Sequence, residues 1–190
     1  MTLRVTGGEA RGRVVSSPRG REARPTSSKI RQAIFNILGT RVVDASFLDI
    51  FAGSGIMGIE ALSRGARSLT AIEIASRLAA DLETNLENLS YADRADVING
   101  DARKVLNHLP ESSFDIIFAD PPYQSPLCRS ILPILSRRKI LSNNGILMVE
   151  HAKIVDLQVE PSTLELLELI DRRDYGQSSV SFFEFHSGRE

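Results

Sequence analysis

Cysteine, tryptophan and histidine are nearly missing from this 190-residue chain: Cys128 is the only thiol, tryptophan does not occur, and His108, His151 and His186 stand far apart. One thiol rules out a disulfide within the chain. With no Cys/His cluster at ligand spacing, a zinc or other metal site is not expected either. The scattered histidines read as surface or packing residues rather than catalytic bases. No segment approaches the roughly eighteen consecutive apolar residues of a membrane span, and the first residues lack the apolar block of a secretory signal. A cytoplasmic protein without a membrane partner is therefore expected. No internal repeat or low-complexity tract interrupts the sequence. Apolar residues are plentiful, at 42% of the chain, enough at this length to bury a core without staples.

The formal net charge is only −1, yet the charges are segregated. Residues 1–31 hold Arg4, Arg11, Arg13, Arg19, Arg21, Arg24, Lys29 and Arg31 against Glu9 and Glu22, a net of +6, while the remainder stands at −7. A basic segment on an acidic body suits a phosphate backbone. Arginine's forked donors match phosphate oxygens, and Gly7, Gly8, Gly12 and Gly20 allow close approach. Arg4, Arg11, Arg13, Arg24, Lys29 and Arg31 are thus the candidate residues for binding such a backbone. The competing reading is a solvated, flexible arm. The expected division is a basic hairpin-and-helix extension over 1–40 and a catalytic domain over 41–190, together one compact unit.

Two motifs carry chemistry. The apolar run Phe114–Ala119 leads directly into Asp120-Pro121-Pro122-Tyr123. An exocyclic amine is a poor nucleophile while its lone pair is conjugated with a base, and acceptors for both N–H groups favour the rehybridised nitrogen. Asp120 supplies one acceptor. Pro121 has a fixed φ and no N–H, so a neighbouring carbonyl can be held toward the second N–H, and Tyr123 offers a stacking face. The second motif is Leu48-Asp49-Ile50-Phe51-Ala52-Gly53-Ser54-Gly55-Ile56-Met57-Gly58, a strand entering a G-x-G-x-x-G turn before a helix-forming stretch from Ile59 to Ser63. Glu73, about twenty residues on and after the strand Leu69–Ile72, is placed to bind a ribose diol. Up to this point either a nucleotide or an adenosyl cofactor fits. Asp49 and Asp101 tip the balance, because a pyrophosphate disfavours so much negative charge whereas a sulfonium and an ammonium welcome it. Asp101, which follows the strand Asp96–Gly100, can accept from an adenine amine or simply cap a helix.

Around these motifs, Leu3–Val5 and Arg13–Val15 suggest a small hairpin, followed by a helix capped by Ser27 or Ser28 with Ile30, Ile34 and Leu38 on one face. That helix should place Lys29 and Arg31 beside the cofactor cleft. From Phe47 onward strands and helices alternate, with Leu78, Leu82, Leu86 and Leu89 on one helix face and Asn143-Asn144-Gly145 turning into Ile146–Val149. This pattern predicts a parallel βαβ sheet, and ligands then bind beyond the strands' carboxyl ends, where Gly53, Glu73, Asp101 and Asp120 all fall. Pro133 predicts a helix break near Leu132.

The chain resembles the class I methyltransferases, and among them the family that methylates the N2 amine of a guanine in small-subunit (16S) ribosomal RNA. The resemblance runs through Arg4–Gly8, Arg11–Arg13, Arg24-Pro25-Thr26, Arg31, Phe35–Leu38, Asp49–Gly55, Glu60–Ala66, Asp120–Tyr123, Tyr175-Gly176 and Ser181–Phe183. It departs at Ser27-Ser28-Lys29, where that family often has an acidic residue beside an arginine. The resemblance implies a Rossmann-like fold with a seven-stranded, mostly parallel sheet and an antiparallel C-terminal hairpin formed near Leu164–Ile170 and Val180–Phe185. It implies S-adenosyl-L-methionine bound by Asp49, Phe51, Ala52, Gly53, Gly55, Glu73, Asp101 and Ala102, with Asp120, Pro121, Pro122 and Tyr123 holding the guanine. Ribosomal RNA, in an assembling small subunit, would be the partner of a monomeric enzyme. The alternatives are an adenine-N6 DNA methyltransferase, a protein glutamine methyltransferase, an NAD-binding oxidoreductase and a non-catalytic RNA-binding module.

Overall fold

The computed structural model describes residues 3–16, 27–122, 127–155, 157 and 166–185. Its centre follows from the apolar runs. β3 (Ser46–Ile50), β4 (Ser68–Glu73) and β6 (Phe114–Ala119) are almost wholly buried, as is the second half of β7 (Leu141–Ala152). Runs that lack polar alternation belong to strands covered on both faces, which parallel pairing with helical crossovers provides. With β5 (Ala95–Asn99), β8 (Leu167–Tyr175) and β9 (Ser178–Phe185), seven strands form one sheet in the order β5-β4-β3-β6-β7-β9-β8. β5 through β7 in that order are parallel, and β9 and β8 run antiparallel. The mostly parallel sheet and antiparallel hairpin are those expected.

Alternate residues of each strand feed two cores. Phe47 packs with Ile34, Phe35, Ile59, Leu62, Leu82 and Leu86 beneath α1 (Ser28–Leu38), α2 (Ile56–Ser63) and α3 (Ser76–Asn88). Leu48 and Ile50 pack on the other face with Leu106, Ile131, Leu132 and Leu147 beneath α4 (Ala102–Val105) and α5 (Leu127–Arg138).

The N-terminal hairpin, β1 (Leu3–Arg4) and β2 (Val14–Val15), is stitched to the first of these faces. Leu3, Val5 and Val15 join its core. The Thr6 N–H and hydroxyl each donate to Glu60 at 2.7 Å, Glu9 N–H donates to the Ser63 carbonyl at 2.8 Å, and Ser16 and Asn85 exchange two hydrogen bonds of 3.0 Å. Gly8 makes this approach possible. At φ 76°, a Cβ there would lie 1.8 Å from the Ser63 carbonyl oxygen.

Four local expectations are corrected. α2 starts at Ile56 rather than Ile59, because Gly55, left-handed at φ 72°, turns the chain into the helix at once. Asn143-Asn144-Gly145 is not a separate turn but a bulge inside β7, where Phe114 faces Leu141 yet Ile116 faces Ile146. No break occurs near Leu132, since α5 continues past Pro133. Proline's φ is itself helical, and burial of Ile131, Leu132 and Leu135 offsets its missing donor. The C-terminal strands are longer than expected, meeting at Gly176, with residues 164–165 outside the described ones.

Candidate active site

β3, β4, β5 and β6 end in step. Ile50 lies opposite both Ile72 and Ala119, and Glu73 opposite Asn99. The residues that follow therefore share one rim, and with about 4.8 Å between strands the ends of β5 and β6 stand about 14 Å apart along it. That width accommodates a nucleoside with an amino-acid tail and leaves a reacting group beside Asp120.

Between them the chain makes a strained loop. Phe51, Gly53 and Gly55 have φ of 64°, 55° and 72°. For Phe51 the left-handed conformation costs about 1–2 kcal/mol, the kind of local strain found at ligand sites. The three motif glycines do different work. A Cβ on Gly55 would lie 2.0 Å from a Leu82 methyl, and one on Gly58 would lie 2.5 Å from a Leu69 methyl, so both let helices press against their neighbours. A Cβ on Gly53 would meet nothing nearer than the Phe51 carbonyl oxygen at 4.0 Å, so this glycine faces open space.

Two carboxylates fasten the loop. Glu73 Oε2 accepts from Gly53 N–H and Oε1 from Ala75 N–H, each at 2.8 Å. Each oxygen keeps a second lone pair, which a ribose hydroxyl could use. Beneath the loop, Asp49 Oδ2 accepts from Gly58 N–H at 3.0 Å. Burial pushes the Asp49 carboxyl up to about 7; the bond from Gly58 opposes the rise and the charge of Glu73 adds to it. Asp101 caps α4, accepting from Arg103 N–H at 2.9 Å, and its carboxylate is clamped by the Arg103 guanidinium at 3.1 and 2.6 Å. Those bonds, the side-chain one first, bring it down to about 2. Ala102 is buried beside it.

Asp120 is half-buried at the end of β6, its N–H donating to the Ile50 carbonyl at 3.3 Å and so extending the strand ladder into the site. Pro121 is buried and Pro122 exposed. Tyr123 lies outside the described residues. Burial, then the negative charge of Asp120, pushes the Cys128 thiol up to about 12, which sets this cysteine against the same rim as an unreactive packing group.

The candidate RNA residues divide. Arg4, Arg11, Arg13 and Lys29 are exposed; Arg4 also donates to the Gly12 carbonyl at 2.9 Å and Arg13 to the Asn88 carbonyl at 3.0 Å. Arg24 lies outside the described residues. Arg31 requires a correction, being 1% exposed, with Nε 3.1 Å from Glu60 Oε2 and Nη2 2.6 Å from the Arg4 carbonyl. It is a buried pin between α1, α2 and the hairpin, not a surface cation. Its partner lies far away in sequence, so charge counting could not find the pair. Asn99 was also missed. Its amide donates to the Glu73 and Ile74 carbonyls at 2.8 and 3.1 Å and holds the turn after β4, and its place at the end of a strand was the available signal.

A mostly parallel sheet in this order with an antiparallel final strand pair, a glycine turn after β3 and an acid at the end of β4 are the architecture of the class I methyltransferases. The chain belongs to the family described as conserved hypothetical protein 95, whose model matches residues 3–184. Ribosomal RNA small subunit methyltransferase D of Escherichia coli K12 is 36% identical over 164 residues, covering 86% of this chain and 82% of that protein. The protein of the same name from Haemophilus influenzae is 32% identical over 169 residues, covering 87% and 86%. Among solved structures, the yhhF protein of Escherichia coli superposes with a TM-score of 0.86 at 32% identity, covering 99% of this chain and all of that one. An RNA methyltransferase of Salinibacter ruber, in complex with S-adenosyl-L-homocysteine, shares the fold at TM-score 0.65 and 16% identity, covering 85% and 92%. Among the described residues no helix is long and apolar enough to cross a membrane.

Proposed function

We propose that this methyltransferase transfers a methyl group from S-adenosyl-L-methionine to the exocyclic N2 amine of a guanine in 16S ribosomal RNA, working as a monomer on an assembling small subunit. The observation that carries the reading is the placing of Asp120 on one rim with the Phe51–Gly55 loop and Glu73. Kinship with small-subunit ribosomal RNA methyltransferases supports the choice of substrate.

The residues present fit the cofactor. Gly53 opens to the side on which a ligand would lie, Glu73 keeps acceptor capacity for a ribose diol, and the buried acid Asp49 places potential negative charge under the loop for a cationic ligand. Phe51 and Ala52 would line the loop, and Asp101 with Ala102 would close the adenine end. S-adenosyl-L-methionine supplies an electrophilic methyl on a positively charged sulfur. Asp120 accepts one N–H of the amine and the Pro121 carbonyl the other, turning the nitrogen lone pair toward the methyl for direct in-line transfer, with the base withdrawn from its surroundings. Proton loss follows once the nitrogen is cationic, and Asp120 is the nearest acceptor to receive it. Arg4, Arg11, Arg13, Arg24 and Lys29 would track flanking phosphates.

Calorimetry with S-adenosyl-L-methionine and with NAD, followed by transfer of labelled methyl to 16S ribosomal RNA or small-subunit particles, tests the proposal. The expected result is binding of the first ligand only and label in guanine N2. Label in DNA adenine, or binding of NAD alone, would refute it.

A further inference from the structure

Among the described residues, the exposed arginines of the N-terminal hairpin, Arg4, Arg11 and Arg13, lie on one face of the sheet. The hairpin that bears Arg4, Arg11 and Arg13 is packed on α2 and α3. A base presented to Asp120 enters at the sheet's rim, and a strand flanking it on the side away from the hairpin would pass the opposite face, the one covered by α4 and α5. The two helices themselves are one-sided in charge, with Asp101 at the cap of α4 and the exposed Glu111 in the segment beyond it as acidic neighbours. α4 and α5 carry Arg103, Lys104, Arg129, Arg137 and Arg138 and no acidic residue. α3, on the hairpin's face, carries Asp81, Glu83 and Glu87 against Arg77. Lys139 follows α5 directly.

From these observations we infer that the outer face of α4 and α5 is a second RNA-binding surface that grips the phosphate backbone, so that the substrate straddles the rim. The inference rests on the proposed ribosomal RNA substrate. Both helices start at the rim, α4 after Asp101 and α5 beyond the Asp120–Pro122 turn, and α5 at twelve residues runs about 18 Å away from it. Arg137 donates to Asn107 Oδ1 and Arg138 to the Leu109 carbonyl, both at 3.2 Å, which fixes the far end of α5 against the segment after α4 and makes one surface of the two. Arg103 is committed to Asp101. Lys104, Arg137 and Lys139 are exposed and form no salt bridge among the described residues, so intramolecular pairing does not account for their charges. Charges placed in this way meet a polyanion at no folding cost, and an extended track of phosphates is the occupant whose charge they complement.

The test is binding of naked 16S ribosomal RNA, by fluorescence anisotropy across a salt series, to the full chain and to the variant Lys104→Gln/Arg137→Gln/Lys139→Asn. A control variant, Arg41→Gln/Arg67→Gln/Arg173→Gln, removes as many cations elsewhere. The helix-face variant is expected to bind RNA roughly tenfold more weakly, with its log–log salt slope reduced by about two, as loss of three contacts to single-stranded phosphates requires. Its affinity for S-adenosyl-L-methionine should stay at the wild-type value, it should remain folded with its melting temperature lowered only by loss of the Arg137–Asn107 bond, and the control variant should bind RNA nearly as well as the wild type. Equal losses in both variants would show unspecific charge attraction and overturn the inference. So would full RNA affinity in the helix-face variant, including the case in which only its action on protein-containing particles suffers, which would assign the surface to a protein. If the wild type binds RNA but methylates no ribosomal RNA, the functional proposal fails while the binding comparison still decides the surface.

Discussion

Single side chains carry the chemistry proposed at the rim, and two carboxyls there have opposite environments. Asp120, half-buried at the end of β6, is proposed to hold and polarise the amine. Replacing it with alanine should lower kcat by at least about a hundredfold while S-adenosyl-L-methionine binds nearly as before, measured by single-turnover kinetics and calorimetry. Asp49 is enclosed, and burial lifts its carboxyl to about 7. A folded-state value above the unfolded one means that the fold holds this proton more tightly, so stability falls as pH rises from about 4 to about 7 and the loss is complete above that. Asp49→Asn keeps an acceptor for Gly58 N–H and removes the titration. Its stability relative to wild type in urea should improve by about 2–3 kcal/mol between pH 5 and pH 8. An equal difference at both pH values would contradict the assignment. At this scale the sequence disclosed that Gly53, Glu73 and Asp120 follow strand ends that share one rim, but not how they are held. The left-handed Phe51 and the Arg31–Glu60 pair depend on tertiary packing that no local pattern encodes.

Elements turn these residues into a site through the loop between β3 and α2. Gly53 and Gly55 look alike in the motif yet differ in surroundings. Gly55→Ala would drive a methyl to 2.0 Å from Leu82 at φ 72°, and should lower the melting temperature sharply or prevent folding. Gly53→Ala meets only the left-handed penalty, about 1–2 kcal/mol, and should leave a folded protein with weakened S-adenosyl-L-methionine binding. Thermal melts with cofactor titrations separate the two, and identical behaviour would show that the loop's glycines are interchangeable. The elements themselves were largely legible: the Ile30, Ile34, Leu38 face of α1, its Ser27 cap and the parallel strands all follow from period and capping chemistry. The misreadings came where context overrides a local signal. Pro133 continues a helix because its neighbours are buried, and Asn143–Gly145 bulges because β6 holds the strand on both sides of it.

Across the whole molecule, one core joins the hairpin to the catalytic sheet, so Arg4, Arg11 and Arg13 are carried by the body. That joint was invisible in composition, because it is made by Thr6, Ser63, Arg31 and the wholly buried Glu60, polar residues that pair only once α1, α2 and the hairpin meet. The charge asymmetry that suggested a polyanion partner was legible, and among the described residues Arg4, Arg11, Arg13 and Lys29 stand exposed, whereas Arg31 is buried.

The most direct test of the account is mass-spectrometric mapping of modified nucleosides in 16S ribosomal RNA from cells with the gene, without it, and complemented with wild type or Asp120→Ala. A single N2-methylguanosine should disappear without the gene, return with the wild type and stay absent with the variant. An unchanged N2-methylguanosine pattern, or its full return with Asp120→Ala, would contradict the account.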